Sequence, residues 1–374
     1  MIRLKGEDRP TYVLSYPRWV RLARLGLVVL LAGAAVVRWI LAWIHFIQPL
    51  TQGVDWAYVS LRPLVSAHLS LLFAAGAVTL VCSVLPDLSL ADAPSQDPGT
   101  GGGIAVRILT GWHLIPWTTI SAVRIVTFET LPHKLVVVQG NWTRWSPWPR
   151  LVSACLGAGL EPGFFFTTSI RDFEPLVQSL LQKVQQANPE SLVEDEFFSL
   201  PAHLVLAPTA TLTDLVAQAK DEGWPVALSA QAMAAVAGAM LLVQLLLLIL
   251  MGGVWWNLLG IPVLVALEWG FGALYLYALS EIFPAQIELR ETALLYPLPQ
   301  VPRALLTMLG ALFVSVGLPF LTAMIGLAGI LWAVTLTALL VQQMYRLESI
   351  LPALVGGAFQ ALFQFLSWAL ILTA

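Results

Sequence analysis

The chain has 374 residues, of which 58% are hydrophobic and 11% charged, with a mean hydropathy of +0.80 and a formal net charge of −3. A soluble domain carries about 25% charged residues, so this composition is that of an integral membrane protein. The near-neutral charge without a basic run argues against a nucleic-acid partner, and the two cysteines, Cys82 and Cys155, share no motif with a further ligand, which leaves each as a small buried apolar residue.

Residues 1–24 read as a cytoplasmic N-terminal segment carrying Arg3, Lys5, Arg9, Arg18, Arg21 and Arg24. The apolar run from Leu25 to Ile47 outlasts a signal-peptide core and continues through Arg38 and Trp39, which predicts an uncleaved first span. A polar loop with Asp55, Trp56 and Tyr58 leads to a second span over Leu64–Leu85, closed by Pro86, so residues 25–86 form a two-span hairpin. Residues 87–103 hold Pro94, Pro98 and Gly99-Thr100-Gly101-Gly102-Gly103. Lacking the Gly-Lys-Ser/Thr of a phosphate loop and the spacing of a dinucleotide fingerprint, they read as a flexible linker.

Residues 104–187 carry soluble patterning. The stretches Ile104–Leu109, Ile115–Phe128, Leu135–Gln139 and Phe164–Ile170 are rich in β-branched and aromatic residues and separated by turn formers, which predicts strands. Asp172 then reads as the cap of a helix with Phe173, Leu176, Val177, Leu180, Leu181 and Val184 on one face, stopped by Asn188-Pro189. Strands closed by one packed helix, with the stretch Gly111–Ile120 among them and two spans ahead of them, resemble the bacterial pleckstrin-homology-like (PH-like) domains. That resemblance implies a small α+β domain, a sheet with a C-terminal helix, that contacts protein or lipid.

Residues 188–227 combine an acidic linker (Glu190, Glu194, Asp195, Glu196) with an amphipathic helix over Leu212–Lys220. Residues 228–374 read as five spans, because each crossing needs about 20 apolar residues. Leu228–Met251 and Trp255–Leu279 turn at Gly252-Gly253, with Trp255 and Trp256 at the interface. Ala304–Tyr345 is too long for one span and is expected to break near Pro319–Gly326, and Leu351–Leu372 makes the seventh span of the chain. Leu289-Arg290-Glu291-Thr292 followed by Tyr296 and Pro299, then Trp332 and Tyr345-Arg346-Leu347, resemble the Yip family of five-span membrane proteins. Its eukaryotic members interact with Rab GTPases; nothing in these residues carries that partnership to this chain.

Of the 19 lysines and arginines, all but Arg38 and Arg62 fall on one side if the N-terminus is cytoplasmic. The positive-inside rule then predicts a multi-pass protein of the cell (plasma or inner) membrane, with its N-terminus and PH-like domain cytoplasmic and its C-terminus outside. On that side the sequon Asn141-Trp142-Thr143 is accidental.

No catalytic, cofactor or metal constellation is visible: His45, His68, His113, His133 and His203 lack ligand spacing. The candidate sites are therefore interaction sites. Trp142, Arg144, Trp145, Trp148 and Arg150 suit a loop at the lipid interface, or alternatively a packed or partner-contacting loop. Arg38 and Glu268 each lie thirteen residues from a cytoplasmic helix end, about 20 Å at 1.5 Å per residue, and at that shared depth within the membrane they are expected to pair, tying the hairpin to the five-span block. Gln360 and Gln364, at i and i+4, form a polar face for helix–helix contact. These features predict a non-catalytic scaffold or accessory subunit whose partners are membrane lipids and a membrane protein or a second copy. A transporter using the region of Glu268 is the alternative.

Overall fold

The structure, a computed structural model, describes residues 2–3, 13–53, 60–84, 86–91, 102–108, 111–129, 131–141, 148–219, 226–251, 255–283, 287–354, 357, 361–362 and 364–365. Two compact units result, Met1–Ala32 with Ala75–His203 and Gly33–Ala74 with Leu204–Ala374. The division runs through two helices, α1 (Arg18–Thr51) and α2 (Arg62–Val84). The chain is thus a membrane protein with a small α/β unit.

The α/β unit holds two four-stranded sheets. In the first, β1 (Ile2–Arg3), β2 (Asp87–Ala91), β3 (Gly103–Ile108) and β4 (Gly111–Pro116) are ordered β1-β4-β3-β2 with antiparallel neighbours. In the second, β5 (Ile120–Thr127), β6 (Lys134–Gly140), β7 (Gly163–Thr167) and β8 (Leu192–Glu194) are ordered β7-β6-β5-β8, and β8 lies parallel to β5. Strand side chains alternate between faces, so Ile104 and Val106 of β3, Val136 and Val138 of β6, and Phe164 and Phe166 of β7 meet in one core. The helix α4 (Phe173–Ala187) closes that core with Phe173, Leu176, Val177, Leu180 and Val184, the face its spacing predicts.

Four expectations change here. Residues 87–91 are a strand paired with β3, so the predicted linker begins later; residues 92–101 lie outside the described residues. The N-terminal segment is more than a tail: Leu14 bridges Leu88, and Leu14 and Tyr16 enter the core. The acidic connector is more than a solvated linker: it contributes β8, whose part-exposed Glu194 pairs with Arg124 of β5 at 2.7 Å. Asp172 takes a left-handed conformation, φ 55, and makes no side-chain capping bond. A helix α3 (Trp148–Cys155), for which the sequence carries no expectation, precedes β7.

After α5 (Leu200–Leu206) comes the amphipathic helix α6 (Pro208–Gln218), which buries Leu212 and Leu215. The helical unit continues with α7 (Val226–Met251), α8 (Trp256–Ala278), the short α9 (Leu289–Leu295), α10 (Val301–Ser315) and α11 (Pro319–Met344). Among the described residues five segments are long and apolar enough to cross a membrane: Arg18–Pro49, Val226–Leu250, Leu258–Glu281, Leu289–Ser315 and Pro319–Met344. Much of the seventh predicted span lies outside the described residues. The break in the long apolar run falls between α10 and α11 at Gly317, whose φ of +80 is open to glycine at little strain. Small residues let these two helices approach closely: a Cβ on Gly329 would stand 3.4 Å from the Arg303 backbone.

Candidate functional site

The segment between α8 and α10 determines what the helical unit can do. Its sequence, with Pro297, Pro299 and Pro302, reads as a loop before a span. Instead, α9 and a following 3-10 turn (Leu298–Gln300) fold into the protein interior, where Leu294, Leu295, Tyr296 and Leu298 are buried. Irregular backbone at membrane depth is tolerated only where protein surrounds it and satisfies it. Here Ser229 of α7 donates to the Leu294 carbonyl at 2.6 Å, and the Trp269 indole of α8 donates to the Ala293 carbonyl at 2.7 Å. The prolines help, because each removes an N–H that would otherwise need a partner. Gly272 makes room on α8: a Cβ there would lie 2.1 Å from the Tyr296 ring.

This inward fold carries Arg303 into the bundle. Its Nη1 donates to Glu268 Oε1 at 2.6 Å, and the two side chains are 2% and 1% exposed. Gln364 donates to the same carboxylate oxygen at 2.9 Å and also to Gln300 Oε1. Arg303 Nη2 touches Met240 Sδ of α7 at 3.7 Å. Arg303 of α10 and Gln364 therefore converge on one carboxylate of α8, and Met240 of α7 touches the arginine. Several polar atoms in this interior have no hydrogen-bond partner among the described residues: Glu268 Oε2, Gln300 Nε2, Gln364 Oε1 and both amide atoms of Gln244.

The predicted pair Arg38–Glu268 is not formed, and this is a correction. Arg38 Nη2 donates to Ser66 Oγ at 2.7 Å and to the Leu250 carbonyl at 3.3 Å. Leu250 lies in the last turn of α7, where carbonyls lack helical partners and a cation is favoured by the helix dipole. Counting residues gives each charge a depth but no neighbour, and Arg303 reads as a loop cation until the fold of residues 287–300 is known. Of the predicted polar face, Gln364 hydrogen-bonds Glu268 and Gln300, while Gln360 lies outside the described residues. Trp142, Arg144 and Trp145 also lie outside them; Trp148 opens α3, and Arg150 on that helix is exposed.

Sequence reasoning passed over Arg303, Gln300 and Gln244. A signal existed for Gln244, a lone amide within Leu241-Leu242-Val243-Gln244-Leu245-Leu246. It also passed over Arg124, which bonds Glu194, Gln139 and the Ala158 carbonyl and stacks 4.9 Å above the Phe197 ring, fastening β8 to its sheet. Among the described residues no cluster of three metal-ligating side chains occurs. Comparison with known protein families, with curated proteins and with solved structures finds no match.

Proposed function

We propose that this chain is a non-catalytic membrane scaffold or accessory subunit, whose α/β unit is a PH-like module contacting a membrane-protein partner, a second copy or the lipid surface. The observation that carries the reading is the use of the intramembrane charges: Arg303 and Glu268 neutralise each other at 2% exposure or less, which makes them fasteners between helices. Two sheets closed by one C-terminal helix support the PH-like assignment, and the buried Tyr296 and Pro299 beside Leu289–Thr292 support a Yip-like helical block.

Transport is the second reading, favoured by the unpartnered amide and carboxylate atoms around Glu268. One preparation tests both. Purified gently in detergent, the protein is expected to retain a membrane partner or a second copy in fixed ratio, and to lose it when α3 is altered by Arg150→Glu. A monomer without partners that moves a solute into proteoliposomes, and stops doing so with Glu268→Gln, would overturn the scaffold reading in favour of transport.

A further inference from the structure

Within the helical unit, α1, the start of α2 and the end of α7 enclose a groove of about 370 Å³ lined by Arg38, His45, Arg62, Pro63, Ser66 and Leu250. Three basic side chains thus face one small space. Arg38 spends Nη2 on two neutral acceptors, and its Nη1 is buried without a hydrogen-bond partner among the described residues. His45 and Arg62 are exposed at the rim. Among the described residues no carboxylate pairs with any of the three. An arginine within a span is expensive unless something offsets its charge, and among the described residues its hydrogen-bond acceptors are the Ser66 hydroxyl and the Leu250 carbonyl.

The surroundings give the depth. Trp39 donates to His68 Nε2 at 3.2 Å, and Trp43 packs edge-on against both rings, an aromatic group of the kind that settles at the headgroup level. The neighbouring face of α1, with Trp39, Ile40, Trp43, Ile44 and Ile47, lines an apolar groove of about 650 Å³. Arg38 and Arg62 are also the two arginines that the charge distribution leaves off the cytoplasmic side. Their convergence on one groove gives both of them a reason to be there.

We infer that this groove binds the phosphate of an anionic group, with the guanidinium of Arg62 and the imidazole of His45 completing the coordination begun by Arg38. The apolar groove alongside suits an acyl chain, which makes a phospholipid headgroup the first source of that phosphate and free phosphate the second.

The test uses the full chain in phosphatidylcholine nanodiscs, followed by thermal unfolding and by native mass spectrometry of retained lipid. Phosphatidylglycerol mixed into the disc should raise the unfolding temperature and remain bound; inorganic phosphate in the buffer is the second arm. Arg62→Gln should weaken phosphatidylglycerol retention by roughly fivefold, the factor for one basic residue facing an anionic surface, and Arg62→Gln with His45→Gln further. Both positions are exposed, so folding is not at stake, whereas Arg38 also fastens Ser66 and Leu250. Stabilisation by phosphatidylglycerol alone assigns the groove to lipid, and stabilisation by phosphate assigns it to a soluble anion. No stabilisation by either, or stabilisation that survives the double variant unchanged, overturns the inference.

Discussion

At the scale of single residues, burial makes charge removal one-sided. Replacing Glu268 with Leu leaves Arg303 unpaired where its side chain is 2% exposed, and replacing Arg303 with Met does the same to Glu268. Either variant is expected to lose about 3 to 5 kcal/mol, the range for breaking a buried pair, while Glu268→Leu with Arg303→Met should lose less than either. Thermal unfolding of the four proteins in one detergent gives the cycle, and additive effects would mean that the two side chains are not coupled. Tyr16 makes a second case in the α/β unit, outside the spans. Its hydroxyl accepts from the Thr167 N–H at 3.3 Å, and burial, the largest influence, pushes its ionisation above the usual range. The native state therefore holds the phenolic proton more tightly than the unfolded chain does. Its contribution is complete below the unfolded value, near pH 10, and is lost as the pH rises from there towards the folded value. Tyr16→Phe should lower stability by about 1 kcal/mol at neutral pH and flatten the alkaline fall seen in the unfolding temperature.

At the scale of elements, the inward-folded α9 and its 3-10 turn depend on Gly272. A methyl group at that position would overlap the Tyr296 ring, and Gly272→Ala should cost about 1 to 3 kcal/mol, as overpacking does. The readout is local: a cysteine placed at Leu298 should resist a membrane-impermeant maleimide in the wild-type background and become labelled with Gly272→Ala. Labelling that does not change would show that the segment is held by other contacts. This element also marks where sequence reading reaches its limit. The helix face Phe173–Val184 and the strands from β3 to β7 are legible because a half-buried element repeats its apolar residues at a fixed period. Residues 289–300 carry no such period, and their prolines signal a turn in water as readily as a turn inside a bundle. Glu268 and Arg38 were conspicuous as charges among apolar residues. Their partners were not, because Arg303 becomes an intramembrane residue through the path of a segment that looks like a loop. The strands β2 and β8 are short and flanked by linker-like composition, so their pairing depends on sheet edges formed far away in the chain.

At the scale of the whole molecule, the α/β unit is discontinuous in sequence. Residues 103–188 contain most of its core but omit Leu14, Tyr16, Leu88 and the strands β2 and β8. Expressed alone they should unfold without a sharp transition. Residues 1–17 joined by a glycine-serine linker to residues 86–203 should restore cooperativity in thermal or urea unfolding; equal behaviour of the two fragments would show that the N-terminal residues and β2 add nothing.

The bridge between Leu14 and Leu88 reaches further than stability. These residues stand on either side of the two long helices α1 and α2, and each donates its backbone N–H to the other's carbonyl, at 2.8 and 3.0 Å. Such a clasp can close only when both ends of the intervening chain emerge in the same compartment. It therefore imposes a parity rule on biosynthesis: if α1 is threaded through a bilayer, the chain must be threaded back before Leu88 for the sheet edge to be completed. A hairpin inserted with a single crossing would leave Leu14 and Leu88 on opposite sides and the sheet unfinished, so a completed α/β unit is itself a record that the insertion machinery made an even number of passes.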